Sequence, residues 1–182
     1  MDEMMREEKV AGSTVYDGKI VRLDVDRVRL PNGREVVREV VRHPGAVVVV
    51  PVLDHERIVL VRQYRYPVED ELLELPAGKL DPGEEPLACA RRELAEETGY
   101  RGQRWKALGS FYTTPGFTNE VLHAFVAEGL EEGSEASPDP DEILRAVSLP
   151  VGEIFRMARE GRLRDAKTLA ALFLWQLSIR GH

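Results

Sequence analysis

Apolar and polar residues alternate along residues 16–26 and 28–41, with Pro31-Asn32-Gly33 as a turn signal. Period-two alternation broken by such residues predicts two strands joined by a tight turn. His43-Pro44-Gly45 ends that pattern, and residues 46–53 form an unbroken, mostly β-branched apolar run. A run without alternation predicts a strand buried on both faces. Further strands are predicted over residues 57–63, 71–76, 105–112, 120–127 and 146–149. Leu87, Ala90 and Leu94 recur at helical spacing, after Pro86 and before Gly99. Proline suits a first helical position and glycine a stop, so a helix is expected there. Two more helices are expected over residues 151–160 and 166–180, with Gly161 ending one and Asp165 capping the other. Residues 131–141 are acidic and rich in serine and proline, which reads as a loop. Strands interleaved with helices predict an α/β sandwich. The hairpin of residues 12–43 reads as a separate β module ahead of a main domain over residues 44–182. An isolated two-stranded hairpin is marginal in water, so it needs a surface to pack on, and a second subunit is a candidate.

Composition narrows the function. With 182 residues, 43% hydrophobic and 31% charged, the chain reads as one soluble domain with a small appendage. A formal charge of −7 argues against nucleic-acid backbone binding. The one cysteine, Cys89, rules out an internal disulfide and predicts a reducing, cytoplasmic setting. The charged start MDEMMREEKV predicts no secretory leader, and no apolar run approaches a membrane span.

The predicted helix that begins at Pro86 carries the chemistry. Glu93, Glu96 and Glu97 stand at i, i+3 and i+4, three carboxylates within one turn on one face. Like charges at that spacing destabilise a helix, so local stability does not explain them. Clustered oxygen donors on a rigid element suit a hard divalent cation, Mg²⁺ or Mn²⁺. Ahead of them, Asp81-Pro82-Gly83 predicts a turn.

The stretch GKLDPGEEPLACARRELAEETGY resembles the signature of the Nudix hydrolases. Gly78, Glu84, Arg92, Glu93, Leu94, Glu96, Glu97, Gly99 and Tyr100 fill its fixed positions, and Tyr100 stands where an aliphatic residue is commoner. The resemblance implies a Nudix-type α/β/α sandwich with a mixed sheet, and hydrolysis of a nucleoside diphosphate linked to another moiety. It implies Glu93, Glu97 and the carbonyl of Ala77 as metal ligands, with Glu96 a further ligand or the group that activates water. Gly78, Glu84, Arg92 and Gly99 would support the loop and helix, Glu84 and Arg92 as an ion pair.

Outside that signature, Gln63-Tyr64-Arg65, Leu73 to Gly78 and the segment GSFYTTPGFTNE resemble the ADP-ribose pyrophosphatase branch, and Pro115 lies fifteen residues after Tyr100. In that branch two subunits exchange N-terminal sheets, which implies a homodimer. The likeness implies substrate contacts from Arg65, Arg62, Pro115, Gly116 and Thr118. It also implies a general base on the loop 134–144, where Glu142 sits best and Glu135, Asp139 and Asp141 are rivals. The expected reaction is cleavage of ADP-ribose to AMP and ribose 5-phosphate. The alternatives are another nucleotide sugar such as a GDP-hexose, a dinucleotide, or a nucleotide-binding sensor without turnover.

Overall fold

Val47, Val48, Val49 and Val50 are completely buried, and the larger part of the protein is arranged around them. Each such side chain contributes about 1.5–3 kcal/mol on leaving water. The computed structural model describes residues 5–54, 56–133 and 143–180. They fall into two compact units: the chain before Gly45 with Tyr112–Val121, and Gly45–Phe111 with the chain from Leu122 on.

The first unit is a three-stranded antiparallel sheet of β1 (Glu8–Asp17), β2 (Arg22–Arg29) and β3 (Glu35–Arg42). The expected turn joins β2 to β3, with Gly33 at φ +84° and its N–H donating to the Leu30 carbonyl at 2.9 Å. One strand more is present than alternation predicts. Every residue of β1 is exposed, so no face of it carries a hydrophobic signature. On β2 the residues that turn inward are Asp24, Asp26 and Val28. Arg42 donates to both carboxylates, at 2.8 and 3.3 Å, and Thr14 donates to Asp24 at 2.7 Å. The Arg42 and Thr14 bonds outweigh burial and hold the Asp24 carboxyl down at about 2.

The second unit is a mixed seven-stranded sheet with helices on both faces. Its strands are β4 (Ala46–Val52), β5 (Arg57–Arg65), β6 (Asp70–Glu74), β7 (Ala77–Lys79), β8 (Tyr100–Tyr112), β9 (Val121–Glu132) and β10 (Leu144–Pro150). The main order is β10-β5-β4-β9-β8, with β6 beside β5 and β7 beside β4. The pairing of β4 with β9 is parallel, and β10, β6 and β7 pair antiparallel. Successive side chains of β4 point to opposite faces. Val47 and Val49 meet Cys89, Ala90 and Leu94 of α1 (Pro86–Thr98). Ala46, Val48 and Val50 face the layer of α2 (Val151–Arg159) and α3 (Ala166–Arg180), where Ile154, Ala171, Leu172 and Trp175 are buried. This is the α/β/α sandwich expected. Gly161 follows α2 at φ +70°, and Asp165 caps α3 by accepting from the Thr168 N–H at 3.0 Å. Among the described residues, no helix is long and apolar enough to cross a membrane.

Candidate active site

The loop before α1 is built by short-range bonds. Glu84 N–H donates to the Asp81 carbonyl at 2.9 Å, and the Glu84 carboxylate accepts from the Asp81 N–H at 3.0 Å. Gly83 takes φ +78°, which a larger residue resists. Pro86 then opens the helix, and Gly99 closes it at φ +74° with its N–H on the Ala95 carbonyl at 2.9 Å. Buried Ala90 and Leu94 fix the rotation of α1 about its axis, and with it the direction of the three glutamates.

Glu93 and Glu97 are thereby laid on the segment Ala77-Gly78. A Cβ at Gly78 would stand 1.9 Å from the Glu93 carboxyl carbon, so only glycine lets that carboxylate approach. Glu97 is itself buried and accepts from the Ala77 N–H at 3.2 Å. Glu96 is the most open of the three, its side chain 42% exposed.

Arg92 ties this region together. Its Nε and Nη2 fork onto Glu84 at 3.0 and 2.9 Å, and Nη1 reaches Glu93 at 2.7 Å and Glu96 at 3.1 Å. A guanidinium is suited to such a task because its five donors are held in one plane. The bond from Arg92 leads the effects that hold Glu84 down at about 2, and Glu84 in turn leads those that raise the Arg92 pKa. Among the described residues no three acidic, histidine or cysteine side chains stand close enough to one another to hold a metal ion as placed. Arg92 links Glu93 to Glu96, whereas Glu97 turns to the Ala77 amide. The donor set nonetheless fits a divalent cation: hard oxygens, one helical face, and a glycine whose missing Cβ lets the Glu93 carboxylate approach the loop.

A second polar cluster stands where β5, β6 and α3 meet. Glu74 is a buried carboxylate between Leu73 and Leu75. Arg65 forks onto it, Nε at 2.8 Å and Nη2 at 2.7 Å, and Lys167 pairs with the same carboxylate. Lys167 also reaches Asp165 at 3.0 Å. Burial alone would raise the Glu74 pKa, but the Arg65 and Lys167 interactions win and lower it. Thr168 joins the cluster to the chain leading into the loop, its Oγ1 accepting from the Leu75 N–H at 2.8 Å. The sequence reading singled out neither Glu74 nor Lys167. The available signal was a charge in the middle of the apolar stretch LLELP, which a buried strand does not tolerate without partners.

Arg65, Ala77 and the α1 glutamates therefore belong to the second unit. Arg62, on the other face of β5, makes an exposed pair with Glu71 at 3.0 Å. Pro115, Gly116 and Thr118 belong to the first unit. There, Val41 N–H donates to the Phe117 carbonyl at 2.8 Å, His43 N–H donates to Asn119 Oδ1 at 2.9 Å, and Thr113 Oγ1 donates to Glu120 at 2.6 Å. Glu142 and its rivals Glu135, Asp139 and Asp141 lie outside the described residues.

Comparison with known proteins adds to this geometry. The profile of the NUDIX domain matches residues 42–172, and that of the nucleoside diphosphate sugar hydrolase N-terminal domain matches residues 7–41. A methanol dehydrogenase activator of Bacillus methanolicus is 42% identical, over 97% of this chain and 96% of its own length. An ADP-ribose pyrophosphatase of Bacillus subtilis is 41% identical, over 95% of this chain and 94% of its own. A GDP-mannose pyrophosphatase of Cronobacter sakazakii is 35% identical, over 79% of this chain and 82% of its own. The crystal structure of an ADP compounds hydrolase shares the fold, with a TM-score of 0.87 over 100% of this chain and 98% of that one, at 24% identity.

Proposed function

The chain belongs to the Nudix hydrolase family, and on that premise we propose that it is a divalent-metal-dependent ADP-ribose pyrophosphatase, releasing AMP and ribose 5-phosphate. The observation that carries the reading is the seating of Glu93 and Glu97 on Ala77-Gly78, where a Cβ at residue 78 would collide with the Glu93 carboxylate. Glu93, Glu96, Glu97 and the Ala77 carbonyl would hold Mg²⁺, or Mn²⁺ in its place. Such an ion supplies charge neutralisation on the diphosphate and a lowered pKa for the attacking water.

The chain's own groups do the rest. Arg65 binds the diphosphate or the terminal ribose, and Pro115, Gly116 and Thr118 shape the substrate side, with Arg62 a further contact. Glu142 takes the proton from the attacking water, or Glu96 does so in its stead. Water adds to one phosphorus, and the bridging oxygen leaves with the other. Arg92 and Glu84 hold the loop while this happens. The N-terminal module, residues 12–43, packs across a homodimer boundary. Exposed Val15, Tyr16, Ile20 and Val37 on that module suit the role. The partner is a small nucleotide sugar rather than nucleic acid or membrane, and the single free Cys89, which is buried, accords with the cytoplasm.

A second reading, GDP-hexose hydrolysis, has the likeness to a GDP-mannose pyrophosphatase in its favour. The test is a panel of nucleotide sugars and dinucleotides with Mg²⁺, coupled to a phosphatase that acts on the monoester products alone. ADP-ribose should give the highest kcat/KM. GDP-mannose in first place would install the second reading, and nucleotide binding without phosphate release would make the chain a sensor.

A further inference from the structure

We propose that Lys167, in the first turn of α3, is a positioning residue for substrate: through the shared Glu74 carboxylate it fixes the Arg65 guanidinium. The inference rests on the reading of Arg65 as a diphosphate contact.

Glu74 has a side chain only 2% exposed. The Arg65 fork already supplies both of its oxygens with charge-assisted donors. Removing a second cation from water costs free energy, and a structural ion pair does not require one. Lys167 is present all the same, its side chain 18% exposed, on the oxygen that Arg65 Nη2 also uses. One carboxylate thus holds two cations. Glu74 divides its charge between Arg65 and Lys167 while Asp165 takes a share of Lys167, and Arg65 Nη1 takes no part in the fork.

The position of Lys167 is set from below. Asp165 accepts from Thr168 N–H and Thr168 Oγ1, at 3.0 and 2.5 Å, and pairs with Lys167. Thr168 then holds the Leu75 amide, one residue beyond Glu74. The start of α3 is stitched to the same short segment that carries Glu74 and leads to Ala77. The charges of Glu97 and Asp165 also act on Arg65, which places this cation within electrostatic reach of Glu97 on α1. A diphosphate bound by ions at Glu93 and Glu97 would present its remaining negative charge to a guanidinium there.

The experiment compares Lys167→Met, Lys167→Arg and Arg65→Lys in steady-state kinetics, at saturating Mg²⁺, on whichever nucleotide sugar the chain turns over best. Lys167→Met should raise KM about tenfold, the usual weight of one misplaced charge-assisted bond, with kcat within about threefold. Lys167→Arg should return KM to within about threefold of the parent. The Arg65 Nε–H resonance should exchange slowly in the parent, faster in Lys167→Met and slowly again in Lys167→Arg. An unchanged KM in Lys167→Met overturns the proposal, as does a lowered melting temperature with no change in KM. If Arg65→Lys leaves KM unchanged, Arg65 itself has been misread. If Arg65→Lys raises KM and Lys167→Met does not, only Lys167 is removed from the account. Should Lys167→Met fail to fold, Lys167→Gln is read in the same way, and failure of both would make the residue structural.

Discussion

Two clusters of the second unit invert one another. At α1, one guanidinium serves three carboxylates, Arg92 reaching Glu84, Glu93 and Glu96. Between β6 and α3, one carboxylate serves two cations, Glu74 taking Arg65 and Lys167. The first has negative charge in excess and suits cations; in the second, where Asp165 stands beside Lys167, the signs balance, and the Arg65 guanidinium is what it offers an anion. Each is anchored by one buried or half-buried group, Arg92 or Glu74, and both touch the short run from Glu74 to Gly78. A diphosphate carrying its metal ions presents both signs, so the pair of clusters matches it better than either does alone.

The sharpest way to break this comparison is to neutralise the acidic side. Glu93→Gln or Glu97→Gln should lower kcat by about a thousandfold or more, since loss of a charged metal ligand removes several kcal/mol of transition-state stabilisation. Circular dichroism and melting should show an intact fold, and near-native kcat at saturating Mg²⁺ would cancel the assignment.

Next in size is the proton acceptor. Glu142→Gln should cost about 10²- to 10⁴-fold in kcat with little change in KM. Amide substitutions at Glu135, Asp139 and Asp141 are measured beside it. A large drop at one of those and none at Glu142 moves the role, and no drop at any of the four leaves it with Glu96.

Gly78→Ala probes the contact between loop and helix without touching charge. The new Cβ would collide with the Glu93 carboxylate. Metal affinity by titration calorimetry should weaken by about tenfold or more, with kcat falling in step. Unaltered affinity would mean that Glu93 works from another position.

The smallest effect is on acid stability, and its sign is fixed by the direction of the shifts. Glu84 is lowered from 4.5 to about 2, so the folded state binds that proton more weakly than the unfolded chain. Its contribution is therefore complete above about pH 4.5 and is lost as pH falls toward 2. Glu74 is also lowered and works in the same sense. Thermal midpoints measured between pH 6 and 3, a range bracketing the free carboxylate value, should fall less steeply for Glu84→Gln than for the parent. Parallel slopes would show that the Arg92 fork does not persist in solution.

What could be read from the chain depended on whether a residue's partners were near in sequence or far away. The β4 run and the α1 stripe announce themselves because burial on two faces, or on one, leaves a period in the residues. β1 leaves none, since all ten of its residues are exposed and its partner β2 supplies the pairing. The glutamates of α1 were visible as a local crowd of like charges. Glu74 was not, because its cations come from Arg65 and from Lys167 on a distant helix. The grouping of Thr118 with β3 was equally hidden, resting on a single parallel bridge to Val41 and on backbone bonds from neighbouring residues.

The parallel pairing of β4 with β9 has a consequence for the newly made chain. Residues 46–52 leave the ribosome well before their partner at 122–128, and parallel neighbours so far apart in sequence are slow to meet. Until then β7 can cover only Ala46, Val47 and Val48 along one edge. A row of valines with an unpaired edge is a template for self-association. Nascent chains that stall before β9 should therefore be the aggregating species, and those that have passed it should not.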